Sequence, residues 1–198
     1  MIALVDYGAG NLTSVKKALA AIGADVCVPL QPADLADAAG VIVPGVGHFG
    51  ATARLAGEWT DAILARVGEG RPLLGICLGM QWLFESSDEA PGVPGLGLLS
   101  GCCYRLPSNG VKIPHVGWND LHVTQNAAIL DGVSSPSQVY FTHSYVAPST
   151  NDTAATTEHG STFAAVVQRG YIAGVQFHPE KSGEVGLRIL RNFLAMVG

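Results

Sequence analysis

The chain has 198 residues, 48% hydrophobic and 14% charged, which fills a core without metal or disulfide and excludes a disordered chain. Its 11 Lys and Arg against 16 Asp and Glu give a net charge of −5, leaving no basic surplus for nucleic-acid backbones. With no signal-peptide pattern at the start, no run near the roughly 18–20 apolar residues of a membrane span, and four cysteines (Cys27, Cys77, Cys102, Cys103) without C-x-x-C pairing, a soluble, reduced, cytoplasmic protein is expected.

Ile2–Val5 reads as a buried strand, followed by a turn at Gly8-Ala9-Gly10. Asn11 then caps a helix whose apolar face is Leu12, Val15, Leu19 and Ile22, closed by Gly23. Val26–Val28 and Val41–Val43 follow as strands, with a short helix between them over Pro32–Ala38. Trp59, Ile63 and Val67 mark a second full helix. Leu73–Ile76 is a fourth buried strand running directly into a helix over Leu78–Phe84, after which Pro91–Gly95 is a loop. This alternation predicts a parallel sheet covered by helices on both faces. The second half changes character: Gly101–Leu106, Asn119–Thr124, Val139–Phe141, Phe163–Gln168 and Ile172–Gln176 are strand-like, and a last helix carries Val185, Ile189, Leu190, Phe193, Leu194 and Val197. No linker divides the chain, so one domain over residues 1–198 is expected.

Gly75-Ile76-Cys77-Leu78-Gly79 has the form of a nucleophile elbow, with cysteine as the nucleophile. A sharp strand-to-helix turn strains the backbone at its apex, and glycines two residues to either side remove side chains that would collide. The helix start favours thiolate, and the Leu78 N–H points where an oxyanion forms. The alternative is a small buried hydrophobe at a strand end, the reading that suits the other three cysteines.

A thiol nucleophile needs a base, and the base needs an orienter. Gln176-Phe-His-Pro-Glu-Lys181 supplies both: in extended backbone His178 and Glu180 face the same side, so the carboxylate holds one ring nitrogen and leaves the other for Cys77. A surface turn is the alternative. Pro44-Gly45-Val46-Gly47, just after the third strand, is either a second source of oxyanion N–H groups or a simple βα turn. The six histidines show no metal-ligand spacing, and no metal or cofactor is expected.

Together, G-I-C-L-G-M-Q, the distant H-P-E and the P-G-x-G loop resemble the class I (triad) glutamine amidotransferases. Asp6–Leu12, Pro44–Phe49, His115–Asn119 and Val175–Ser182 narrow the resemblance to the glutaminase subunits of imidazole glycerol phosphate synthases, and it covers essentially the whole chain. The resemblance implies an α/β, flavodoxin-like open mixed sheet, mostly parallel, with helices on both faces and additional antiparallel strands in the second half. It implies glutamine hydrolysis to glutamate and ammonia through a thioester on Cys77, with His178 as acid and base and Glu180 as its orienter. Leu78 and Gly45, Val46 and Gly47 would form the oxyanion hole, while Gln81, Ser144 and Tyr145 would contact glutamine. The implied partner is a (β/α)8-barrel cyclase, joined in a heterodimer, that uses the ammonia to make imidazole glycerol phosphate and aminoimidazole carboxamide ribotide in histidine biosynthesis. Asn11, Trp118, Tyr140 and Lys181 would lie near that interface.

Rival readings are a glutaminase subunit of another synthase (pyridoxal phosphate or anthranilate), a cysteine peptidase or inactive scaffold, and a nucleotide-binding module at Gly8-Ala9-Gly10. The last lacks the third glycine of G-x-G-x-x-G, Thr13 standing there.

Overall fold

In the computed structural model, which describes residues 1–198, the apolar runs of the first half become adjacent buried strands. They are β1 (Ile2–Leu4), β2 (Val26–Cys27), β3 (Gly40–Gly45) and β4 (Leu73–Cys77), interleaved with α1 (Leu12–Ala21) and α2 (Glu58–Gly68). Alternate strand residues face opposite ways. Ile2, Leu4, Ile42, Leu74 and Ile76 pack with Val15 and Leu19 of α1 and with Ile189, Leu190 and Phe193 of α4 (Gly183–Val197). On the other face Ala3, Val5, Val41 and Val43 pack with Ile63 of α2 and with Met80 and Trp82 of α3 (Leu78–Trp82). Both faces are therefore covered, as the strand–helix alternation requires.

The remaining strands are β5 (Ser86–Ser87), β6 (Cys102–Arg105), β7 (His115–Val123), β8 (Ser137–His143), β9 (Tyr145–Val146), β10 (Thr153–Glu158), β11 (Thr162–Arg169) and β12 (Ile172–Val175). The main sheet has nine strands in the order β2-β1-β3-β4-β12-β11-β10-β7-β8. Pairings from β2 through β12 are parallel, and those from β12 to β8 are antiparallel. β5, β6 and β9 make a small second sheet. The antiparallel part bends back towards the parallel part, because the His178 N–H, just past β12, donates to the Tyr140 carbonyl of β8 at 2.9 Å. No helix is long and apolar enough to cross a membrane.

Two of the expected helices differ from the sequence reading. The segment from Pro32 is a single 3-10 turn ending at Leu35. The helix after Cys77 stops at Trp82, short of Phe84, because the returning loop claims the carbonyls that would continue it. Leu96 N–H bonds to Trp82 O, Leu99 N–H to Leu83 O and Gly97 N–H to Phe84 O.

Candidate active site

The C-terminal ends of three neighbouring parallel strands meet at one place, the usual position for a site in an open α/β sheet. β3 runs into the Gly45–Gly47 loop, β4 ends at Cys77, and β12 leads to Gln176, Phe177 and His178. Gly45 and Cys77 are register partners.

Cys77 has φ 52° and ψ −105° and is 4% exposed. This backbone conformation is costly for any residue with a Cβ and is held only because its surroundings impose it. The two glycines do what the elbow requires. A Cβ on Gly75 would lie 2.6 Å from the Gly79 carbonyl carbon, and one on Gly79 would overlap the Val43 carbonyl oxygen. The structural-hydrophobe reading of Cys77 fails on location, since its side chain opens onto a cleft of about 340 Å³. Val46, Gly47, Leu78, Gln81, Ser144 and Tyr145 line that cleft as well. Gly45 does not: it is buried in β3 against the Tyr7 hydroxyl and Leu78.

The side chains of His178 and Glu180 are both buried, and Nδ1 lies 2.8 Å from Oε1. The reason differs from the expected extended strand. His178 is extended, but Pro179–Lys181 forms a 3-10 turn that swings the carboxylate under the ring. Its Nε2 is buried and closes no hydrogen bond of good geometry, leaving it available to Cys77. Burial pulls the imidazole pKa down, and the neighbouring Cys77 and Glu180 outweigh it, raising the pKa well above the ordinary value. The site therefore favours a protonated His178 whenever the sulfur is ionised.

Gln81 is 4% exposed and points into the protein rather than to solvent. Its Nε2 donates to Tyr145 O at 2.8 Å and to Gln176 Oε1 at 3.1 Å. Gln176 in turn donates to Cys77 Sγ at 3.6 Å, and Sγ faces Thr142 O at 4.0 Å.

Other residues of the site escape a sequence reading. Glu89 lines the cleft from an irregular loop, and its Oε2 accepts the Phe49 N–H at 2.7 Å, fastening the segment after Gly47. Thr142 and His143 line the cleft as neighbours of Ser144. Tyr7 is buried beside Gly45 with its hydroxyl unpartnered, and burial with the charge of Cys77 raises its pKa. No local pattern marks these positions; only the fold brings them in.

On the surface next to β7 and β8, Trp118 is 55% exposed and meets Tyr140 edge-on at 6.2 Å, and Lys181 Nζ lies 5.6 Å from the Tyr140 ring centroid. Asn11 is exposed and acts locally, its side chain accepting the Ser14 N–H at the start of α1. In the turn before it, the space beside Gly8 holds the Arg54 guanidinium, which donates to Tyr7 O and Gly8 O.

Residues 3–197 match the family model described as glutamine amidotransferase class-I. Among curated proteins, the chain is 45% identical over 199 residues to the imidazole glycerol phosphate synthase subunit HisH of Methanothermobacter thermautotrophicus, covering 100% of this chain and 99% of that one. It is 50% identical over 200 residues to the subunit of the same name from Gloeobacter violaceus, covering 98% and 88%. Among solved structures, that of PurLQS from Thermotoga maritima superposes with a TM-score of 0.79 at 22% identity, covering 100% and 98%. The elbow, the buried imidazole–carboxylate pair and these matches place the chain in the class-I glutamine amidotransferase family, among its imidazole glycerol phosphate synthase HisH subunits.

Proposed function

We propose that residues 1–198 act as one glutaminase domain that hydrolyses glutamine to glutamate and ammonia and passes the ammonia to a (β/α)8-barrel cyclase subunit. The observation that carries this is a cysteine in strained backbone at the floor of a cleft, beside a buried His178–Glu180 pair. In the first step the Cys77 sulfur attacks the side-chain amide carbon of glutamine. Protonated His178 gives its proton to the leaving nitrogen, so ammonia departs and a glutamyl thioester remains. In the second step His178 takes a proton from water, whose oxygen attacks the thioester, and the proton returns as sulfur leaves. Glu180 keeps the ring oriented and stabilises its charged form.

The Leu78 N–H and the Val46–Gly47 segment are the donors we assign to the oxyanion, with Gly45 as the buried root of that loop. Ser144 and Tyr145 form one wall for the substrate backbone. Gln81 has its N–H groups engaged within the protein, so its Oε1 is the atom left for substrate. Glu89 is the carboxylate we assign to the substrate ammonium, on the ground that it lines the same cleft.

The HisH names of the relatives support a synthase partner, and the surface cluster of exposed Trp118 and Lys181 with half-buried Tyr140 supports the place where it docks. A large aromatic beside a cation is the composition expected of an interface anchor. The ammonia would serve formation of imidazole glycerol phosphate and aminoimidazole carboxamide ribotide in the cytoplasm. The deciding experiment treats the protein with a diazo- or chloro-ketone analogue of glutamine and maps the adduct by mass spectrometry. Alkylation at Cys77, protected by glutamine, is expected. Labelling elsewhere, or no protection, would overturn the reading.

A further inference from the structure

β7 and β8 set His115 opposite His143 in register, and the two buried rings meet with His115 Nδ1 3.1 Å from His143 Nε2. The surrounding bonds decide which nitrogens carry protons. The amide of Asn119 has a fixed orientation: Oδ1 accepts the Asp120 N–H at 2.8 Å, and Nδ2 donates to the Glu158 carbonyl at 2.9 Å. Nδ2 also lies 3.1 Å from His115 Nε2. An amide nitrogen only donates, so Nε2 of His115 accepts and its proton sits on Nδ1. That proton goes to His143 Nε2, which leaves the His143 proton on Nδ1. Nδ1 faces the Tyr145 carbonyl at 3.1 Å, an atom that only accepts. Read from either end, the chain has one polarity.

We propose that Asn119, His115 and His143 are positioning residues, a one-directional chain of hydrogen bonds that fixes the Ser144–Tyr145 wall against which glutamine binds. The Tyr145 carbonyl also accepts from Gln81 at 2.8 Å, so one oxygen joins the substrate wall to the helix that follows the nucleophile. The chain needs both rings uncharged, because a second proton on His143 would oppose the one His115 presents. Their setting supplies this. Burial first, then the nearby His159, lowers His115 to about 4, and burial with His115 lowers His143 to about 3. His115 stacks on Phe141 at 4.7 Å, and His143 meets Phe163 edge-on at 5.2 Å, which holds the ring planes.

The proposal rests on the glutaminase reading of the cleft. Long-range proton–nitrogen spectra of the full chain at about pH 7 report the tautomers directly. Both rings are expected in the Nδ1–H form, and an Nε2–H form or a charged ring at either position overturns the chain. Labelling of Cys77 by the diazo-ketone analogue then separates binding from chemistry. His143→Asn keeps a donor at the δ position and is expected to hold the half-saturating concentration within about threefold of the unaltered protein. His143→Leu keeps none and is expected to raise it about tenfold, the size of one lost hydrogen bond, with little change in the limiting rate. Unchanged half-saturation in a folded His143→Leu overturns the positioning role alone. Failure of the unaltered chain to label at Cys77 brings down the glutaminase reading, and the role for glutamine with it, whatever the tautomers.

Discussion

Nδ1 of His178 lies 2.8 Å from Oε1 of Glu180, and only a proline separates the two residues in sequence. A 3-10 turn makes that contact, so carboxylate and ring are held by backbone that can change little. Glu180→Gln retains an acceptor for Nδ1–H and loses the charge that stabilises imidazolium. Turnover is expected to fall about 10- to 100-fold, while His178→Ala abolishes thioester formation. Rapid-quench capture of the thioester distinguishes the two. Equal losses would remove Glu180 from its role as orienter.

The strain at Cys77 predicts a stability effect opposite to the effect on activity. At φ 52° glycine is the residue with least penalty. Cys77→Gly and Cys77→Ala should both be inactive, yet the glycine variant should be more stable by about 1 kcal/mol, or roughly 2–4 °C in Tm. Calorimetry of the two side by side provides the check, and an alanine variant equal or superior in Tm would contradict it.

Gly79→Ala should be the costliest small substitution near the site. Its Cβ would overlap a backbone carbonyl of the neighbouring strand, which no side-chain rotation relieves. A loss of about 2 kcal/mol or more is expected in urea unfolding. By contrast a Cβ on Gly68, at the end of α2, meets nothing within 4 Å, and Gly68→Ala should be neutral or stabilising.

Acid should weaken the fold through His115 and His143. Their folded-state values lie below the unfolded 6.5, so the unfolded chain binds more protons once the pH drops below about 6.5. Stability is then full above that pH and is lost progressively as it falls through about 5 towards the folded-state values of about 4 and 3. His178 has the opposite sign: its raised value gives stability that is full below 6.5 and is lost as the pH rises from there towards about 10, and this contribution is the same in the unaltered protein and the variant compared next. Unfolding free energies at about pH 7 and 5 should differ less in His143→Phe than in the unaltered protein. An equal difference would show that these rings do not carry the effect.

Trp118→Ala should leave Tm within a degree or two and weaken association with the cyclase by about 2 kcal/mol, read by titration calorimetry. Unaltered affinity would move the docking face elsewhere.

Much of this site is legible in sequence where a local constraint enforces it. The elbow is a steric pattern, and the imidazole–carboxylate pair lies within three residues. Glu89, Tyr7, Thr142 and the His115–His143 pair were not legible, because each depends on strand register or on a loop returning from a distance. The same limit applies to β10. Thr-Ala-Ala-Thr-Thr-Glu offers no large apolar residue, and its burial comes from the strands on either side, β11 and β7. The strand reading from Asn119 likewise missed its start at His115, because Pro114 and Gly117, at φ 133°, resemble a turn rather than a strand.

The β7–β8 hairpin displays Trp118 and Tyr140 outside, while Tyr140 O receives the His178 N–H and Thr142–His143 border the cleft inside. A chimera that exchanges this hairpin, the docking face proposed above, would therefore import the backbone anchor of His178 along with it. On the proposed assignment recognition and chemistry transplant as one cassette, and engineered exchanges that cut between them should yield proteins that assemble yet turn over poorly.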